Sequence, residues 1–388
     1  MKNILIVNAY SEIAGPNIAL RSFIEEITNE SDYRFFLVFP KKSEFESLHI
    51  KKNVKILYLP TFPLNKSIYS YHWFIYFINL FRGFFIYIYV IKKYKICLLH
   101  NNSSATIIQS LAAKFCNIKI VYHIREIWGI REQKLNLLYK FIYKISDTII
   151  CVSKEARDKN FHFIKCNKKN KLIVLYDCVS KNFFNPSTNY NDKKNELTII
   201  SCIGRLTPIK GQDIFIESIN YIKNKYFNIN FKVYIIGDIP VNNPYYENYK
   251  KELHDLIKKY NLTQCIELVG FEQNVEFFLG KSKILVLPSR ISEGLGIVLL
   301  EGMITQNLVI TSNIGGQKEI VEVSKSGLLF KNEDYVDLAE KIYFSIINYK
   351  NFEDNIKNGV LFVESFCRPK VYLDNLLNIY DDLLMHKY

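Results

Sequence analysis

The chain has 388 residues, of which 49% are apolar and 23% charged. This is the balance of a folded globular protein, long enough for two domains of about 150–200 residues, and it excludes a disordered tail, a collagen-like rod and a small disulfide scaffold. The net charge of +13 is unevenly spread: residues 1–190 carry 28 Lys and Arg against 13 Asp and Glu, giving +15, while residues 191–388 carry 23 against 25, giving −2.

The chain opens with Met1-Lys2-Asn3 and only four apolar residues, Ile4 to Val7, before Asn8. That reads as a strand, too short for the apolar core of a signal peptide. Further strands are expected near Phe35–Phe39, Val54–Leu57, Ile96–Leu99, Ile118–Tyr122, Thr148–Val152 and Leu172–Leu175, with helical stretches between most of them. Strands alternating with longer helical segments are the signature of parallel α/β layers. The periodicity stops near Phe184–Asn195, a polar run rich in Pro, Asn and Lys that reads as a domain linker. The same pattern then restarts, with strands near Thr198–Ile203, Phe231–Ile236, Ile266–Val269, Ile284–Leu287, Leu308–Thr311 and Gly327–Phe330, and a final helix over Lys370–Leu384. Two α/β domains facing each other across a cleft is the economical arrangement.

Ile68–Ile91 stands apart: 24 residues without an acid, closed by Lys92-Lys93. Arg82, His72 and Asn79 make it a poor membrane span. On a helix, His72, Asn79, Arg82 and Gly83 share one arc. It therefore reads either as a core helix with one wetted stripe, or as an interfacial helix whose Trp73, Phe77 and Phe84 insert among lipid headgroups beside a basic surface.

A basic first half suits an anionic partner, although 42 Lys against 9 Arg also fits compositional bias. Scarce Arg argues against base readout, and Lys165–Lys171, with no recognition motif beside it, reads as solvated surface; nucleic acid is not an expected partner. The eight cysteines include no Cys-x-x-Cys, and no set of Cys and His residues spaced as a four-ligand zinc site. Several sit in apolar runs such as Ile96–Leu99 and Ile150–Val152, as reduced core cysteines of a cytoplasmic chain do.

No Asp-x-Asp, HExxH or P-loop is present, and no GxGxxG follows the first strand. The chemistry-bearing residues lie in the second half. The strand Thr198–Ile203 runs into Gly204-Arg205, with Lys210-Gly211 just before a helix beginning near Gln212. Two cations at the carboxyl end of a strand, beside a helix start, suit a diphosphate. After the strand Ile284–Leu287, Glu293 is followed by Gly294-Leu295-Gly296, whose backbone can approach a ligand, and by Glu301 about two helical turns on. Carboxylates accept from vicinal hydroxyls of a sugar or ribose; as isolated acids they are ordinary helix-start charges. The loop Asn313–Glu319 offers further backbone donors.

GRLTPIKG, then SEGLGIVLLEGM with its Glu293–Glu301 pair, then IGGQKEIV and SGLLF resemble, in order and spacing, the family-4 group of retaining glycosyltransferases, which have the GT-B fold. The first half resembles the family more loosely, through the loop at Gly15, VYHIREIWG at 121–129 and ISDTIICVSK at 145–154; Tyr176-Asp177-Cys178 replaces the family's common Asn-Gly turn. The resemblance implies a Rossmann-like acceptor-side domain over 1–185, a Rossmann-like donor domain over 186–366, and a terminal helix, 367–388, crossing back onto the first. It further implies that Arg205 and Lys210 bind the donor diphosphate and stabilise its developing charge. Glu293, with Gly294, Leu295 and Gly296, would hold the donor sugar, and Glu301 the ribose. Gly15 and Gly204 would let loops approach the phosphates, and His123 would lie near the sugar. Arg125 and Glu126 have no assigned role. The implied reaction is metal-independent transfer, retaining anomeric configuration by front-face attack, from a UDP- or GDP-linked sugar to a glycan or lipid-linked acceptor of a surface polysaccharide. No cofactor is implied, and the implied location is cytoplasmic, peripheral on the inner face of the membrane.

Overall fold

In the computed structural model the described residues are all except 12–14, 28–30, 43–44, 46–50, 64–72, 128–132, 165–170, 185–196, 227–228, 241–242 and 386–388, together with the side chains of 16, 73–77, 133–135 and 244. The linker read at Phe184–Asn195 falls almost wholly outside them, as do His72 and the side chains of Trp73 and Phe77. The chain divides into two compact units, Met1–Ser180 with Pro369–Tyr388, and Lys181–Arg368.

The first unit holds seven parallel strands, β1 (Lys2–Val7), β2 (Tyr33–Phe39), β3 (Val54–Tyr58), β4 (Ile96–Asn101), β5 (Lys119–Ile124), β6 (Thr148–Cys151) and β7 (Leu172–Val174), in the order β3-β2-β1-β4-β5-β6-β7. The second holds six, β8 (Thr198–Ile203), β9 (Phe231–Ile236), β10 (Ile266–Gly270), β11 (Ile284–Leu287), β12 (Leu308–Ser312) and β13 (Gly327–Phe330), in the order β10-β9-β8-β11-β12-β13. Each expected strand is present. Ile4, Leu5, Ile6 and Val7 are all fully buried, as are Ile284, Leu285 and Val286. Strands covered on both faces read as unbroken apolar runs, which is why they were visible in the sequence. In each sheet the strand order reverses beside its central strand, between β1 and β4 and between β8 and β11. Such switch points are where doubly wound sheets bind ligands, at the carboxyl ends of the strands.

The first division falls between Ser180 and Lys181, ahead of the polar run read as the linker. The short 3-10 turn Lys181–Phe184 already belongs to the second unit, where Phe184 lies under the Arg368 guanidinium at 4.9 Å. The helix Pro369–Met385 belongs to the first unit. Its Tyr372, Leu376 and Tyr380 are fully buried, with Tyr372 5.7 Å from the ring of Phe23. Asp381 accepts from Tyr33 Oη at 2.6 Å and pairs with Lys2.

The apolar segment forms the helix Trp73–Lys93, and among the described residues no helix is long and apolar enough to cross a membrane. Its wetted stripe is not the polar arc read from the sequence. Gly83 is buried against the Phe62 ring, which a Cβ there would strike at 2.4 Å, and Tyr87 donates to the Pro60 carbonyl at 3.0 Å. Ile78, Phe81, Phe85 and Tyr89 are exposed instead, with Arg82. Close approach at the glycine, rather than side-chain polarity, sets which face turns inward.

Candidate active site

The second unit gathers its chemistry at the β8/β11 switch point. Beyond β8, Gly204-Arg205 leads to a 3-10 turn, Pro208–Lys210, and then through Gly211 to the helix Gln212–Lys225. Gly211 is left-handed (φ 69°), and a Cβ there would lie 2.1 Å from the carbonyl oxygen of Pro288. Only glycine lets the loop after β8 touch the loop after β11 this closely. That contact brings Lys210 Nζ to 2.7 Å from Glu293 Oε2, while Ser289 Oγ donates to Oε1. Burial pushes the Glu293 carboxyl up, but Lys210, Ser289 and the nearby Arg205 outweigh it and hold it below the ordinary glutamate range. Arg205 is exposed and its carbonyl accepts from Gln212 Nε2 at 2.9 Å. Two cations around one carboxylate leave a net positive site, suited to an anion.

Leu295 is buried and Gly296, left-handed (φ 87°), opens the helix Ile297–Ile304. A Cβ on Gly296 would meet Gln317 Nε2 at 2.8 Å, and Gln317 is itself fixed by Thr311 Oγ1 at 2.7 Å. The loop after β12 corrects one expectation. Gly316 N–H donates to the Glu293 carbonyl at 2.9 Å, so this amide is taken up by the protein rather than offered to a ligand. A Cβ on Gly316 would fall 2.0 Å from Gly294 O, and one on Gly315 2.8 Å from Glu293 N. The glycine pair docks the helix Gly315–Ser324 onto the backbone that carries Glu293. Glu301, inside Ile297–Ile304, is 4% exposed, and among the described residues its carboxyl has no hydrogen bond or ion pair. Burial alone pushes it up to about 7.

In the first unit Gly15 (φ 40°) precedes the helix Pro16–Glu26, with nothing among the described residues within 4 Å of its Cβ position. His123 lies within β5 and is fully buried. Its ring stacks on His100 at 5.5 Å, Nδ1 is 3.5 Å from both Arg125 Nη2 and Tyr372 Oη, and Nε2 has no partner among the described residues. Burial and the Arg125 charge drive its titration far below the ordinary histidine value, so it is neutral. Arg125, just past the end of β5, pairs with Asp177 and donates to Asn102 Oδ1 at 3.0 Å and Tyr372 Oη at 3.2 Å. Glu126 accepts from Ser103 Oγ at 2.8 Å and Ser104 Oγ at 3.1 Å. Asp177 stands out in the sequence only as part of the turn Tyr176-Asp177-Cys178, and nothing there marks it, Asn102 or Tyr372 as a partner of Arg125, because partners 52 and 247 residues apart leave no local pattern. Ser289, four residues before Glu293 in the same loop, is the member that a local reading could find. Among the described residues no group of His, Cys, Asp or Glu is arranged to hold a metal ion.

Two doubly wound α/β units, each with its own switch point, are the architecture of the GT-B fold. Residues 185–360 of the chain match the family model described as Glycosyl transferases group 1. An uncharacterized glycosyltransferase of Methanocaldococcus jannaschii is 34% identical over 248 residues, covering 63% of this chain and 62% of that protein. The capsular polysaccharide biosynthesis glycosyltransferase CapM of Staphylococcus aureus is 25% identical over 268 residues, covering 66% of this chain and 67% of that protein. The chain thus spans less than two thirds of the length of the first of these relatives. Among solved structures, a glycosyltransferase from Rickettsia africae superposes with a TM-score of 0.80 at 20% identity, covering 100% of this chain and 99% of that one. Anabaena HepE in complex with UDP and glucose superposes with a TM-score of 0.78 at 16% identity, covering 97% and 99%. At such identities the likeness establishes the fold alone.

Proposed function

We propose that the chain transfers a hexosyl or N-acetylhexosaminyl group from a UDP- or GDP-linked sugar to a glycan or lipid-linked acceptor in surface polysaccharide assembly, with retention and without a metal. The observation that carries this reading is the Lys210–Glu293 contact beside Arg205 at the β8/β11 switch point. Lysine has three donors, so Lys210 can keep Glu293 with one and meet a phosphate oxygen with another. As the glycosidic bond breaks, charge grows on the leaving diphosphate, and Lys210 and Arg205 are placed to stabilise it. Glu293, kept ionised, accepts from sugar hydroxyls, and Glu301 from the ribose. The departing phosphate, on the same side as the acceptor, takes the acceptor proton, so no protein nucleophile is required. Gly204 would let the loop after β8 approach the phosphates, and Gly15 and His123 of the first unit keep the donor-side roles that the family resemblance implies.

The relatives support the acceptor class. Besides CapM, a Campylobacter jejuni relative is named as an N-acetylgalactosaminyltransferase acting on an undecaprenol-diphosphate-linked glycan, and it is 26% identical over 192 residues. The proposed location is cytoplasmic, with the first unit seated on the anionic inner face of the plasma membrane. The aromatic face of Trp73–Lys93 with its basic flank supports that placement.

Melting of the purified chain against UDP-, GDP- and ADP-sugars with EDTA present tests the donor site. A ligand at 100 times its Kd stabilises by about 2.7 kcal/mol. One donor class should raise the melting temperature selectively, and polyprenyl-diphosphate-linked glycan should then accelerate nucleotide release. No response from a folded chain, or a product of inverted configuration, overturns the reading.

A further inference from the structure

The 3-10 turn Pro208–Lys210 is three residues long, closed by Lys210 N–H to the Thr207 carbonyl at 2.9 Å. So short a turn has little stability of its own, and the position of Lys210 must be fixed from outside it. One residue does most of this. Arg290, in the loop after β11, donates its backbone N–H to the Ile209 carbonyl at 2.9 Å and its Nη1 to the Pro208 carbonyl at 2.7 Å. The same guanidinium grips Asp213 at the start of the helix Gln212–Lys225, with Nη1 2.8 Å from Oδ1 and Nη2 bonded to Oδ2. Asp213 is in turn held by Tyr249 Oη at 2.8 Å, and the Arg290 carbonyl accepts from Asn332 Nδ2 at 3.1 Å. Arg290 therefore ties the loop that carries Glu293 to both the turn that carries Lys210 and the helix behind it.

We propose that Arg290 is a positioning residue for the transfer reaction, a brace that sets the distance between Lys210 and Glu293. Its guanidinium is occupied by Pro208 and Asp213, with Nε 3.6 Å from Glu333, so it acts through Lys210 rather than on the donor. Lysine cannot replace it: an ammonium lacks the planar fork that meets a carboxylate and a carbonyl at once. The inference rests on the proposed function for its kinetic consequence only, since the brace is made of the protein's own contacts. The groups facing Glu293 are Lys210, Ser289 and Arg205, and a slackened brace weakens the first of these.

The test compares wild type, Arg290→Met, Arg290→Lys and, as a second way to open the clamp, Asp213→Asn. Carbon-13 NMR of Glu-labelled, nucleotide-free protein follows the Glu293 carboxyl, assigned with Glu293→Gln. Arg290→Met should move its titration upward toward the ordinary glutamate value, and Asp213→Asn should do so in part. With donor, Arg290→Met should lower kcat by about 10–100-fold, as a misplacement near 1 Å does, with the donor KM within about threefold of wild type. The acid limb of kcat/KM should move up with the carboxyl, and Arg290→Lys should rescue neither. An unmoved titration in both Arg290→Met and Asp213→Asn overturns the proposal, as does a kcat loss that follows a reduced folded fraction alone. If wild type turns over no nucleotide-sugar the proposed function falls, and the titration still decides the brace.

Discussion

Glu293 and Glu301 are near neighbours in one lobe, yet their surroundings push them in opposite directions: Lys210, Ser289 and Arg205 overcome burial at the first, and burial acts unopposed at the second. A buried carboxyl near 7, against an ordinary 4.5 in the unfolded chain, has a defined effect on stability. Below the unfolded value both states hold the proton and nothing is lost. Between 4.5 and about 7 the unfolded chain releases it first, and folding weakens by roughly 3 kcal/mol in all. Glu301→Gln should therefore melt higher than wild type at about pH 8 and show no such advantage near pH 5; equal melting at both values refutes the assignment. In the proposed role as ribose acceptor the ionised carboxylate is the stronger acceptor, so donor binding near neutral pH should release a proton, seen as a calorimetric heat that changes with the buffer's ionisation enthalpy. Lys210 makes a contrasting case. Its pair with Glu293 is about a quarter exposed on the lysine side, worth about 1 kcal/mol or less to folding, while in the proposed reaction its charge on the leaving diphosphate would be worth far more. Lys210→Ala should lower kcat by about 10²–10³-fold with little change in melting. Arg205, Lys210 and Glu293 were legible because each sits within one short motif. The Asp213–Arg290 clamp spans 77 residues and was not, since nothing local marks the two as partners.

The strands were legible for the reason that they are buried on both sides, which writes them as apolar runs. The faces of helices were less so. Trp73–Lys93 is apolar nearly all round, so its sequence carries little record of which side is covered, and the deciding contact is Phe62 against Gly83. The helix Gly315–Ser324 poses the same problem: Gly315-Gly316 looks like a donor-rich loop, and only the fold shows that its glycines are needed for contact with Glu293 and Gly294. A methyl group at Gly316 would sit 2.0 Å from the Gly294 carbonyl oxygen, and backbone on backbone cannot yield as a flexible side chain does. Gly316→Ala should therefore displace the loop bearing Glu293, abolish the melting shift with nucleotide-sugar and raise the Glu293 carboxyl. Gly359→Ala, whose Cβ would meet only the Ser326 and Met303 side chains at 3.1 and 3.3 Å, should keep the nucleotide response. Equal behaviour of the two variants would mean that the helix does not set the loop. The helix Pro369–Met385 was legible as a helix after Pro369, while its return to the first unit was expected from the family resemblance alone and rests on Tyr372, Tyr380 and Asp381 meeting residues hundreds of positions away.

The charge of the chain lies almost wholly in the first unit's sequence, and its distribution there is sharper than the sum suggests. Between Glu46 and Glu126 there is no Asp or Glu at all. Within that stretch the exposed Phe81 and Phe85 rings meet edge to face at 4.9 Å, and the Phe84 ring, 5.8 Å from exposed Phe115, carries the aromatic surface onto the helix Ile108–Phe115, where Leu111 is also exposed. Arg82, Lys92, Lys93 and Lys114 are exposed on the same two helices. An aromatic face with cations, in a stretch of sequence without an acid, is complementary to an anionic bilayer surface. Each cation contributes about 1 kcal/mol at such a surface and loses most of it as salt shortens the screening length, while buried rings are nearly indifferent to salt. The two contributions can thus be separated. Lys92→Glu/Lys93→Glu should bind vesicles of about one third anionic lipid much more weakly than wild type at low salt and converge with it near 0.5 M. Phe81→Ser/Phe85→Ser should keep the salt-dependent approach and lose what remains at high salt. Sedimentation of both variants with the vesicles to the same extent as wild type, at either salt, would mean that this face does not meet the membrane and that the acid-free stretch serves some other anion.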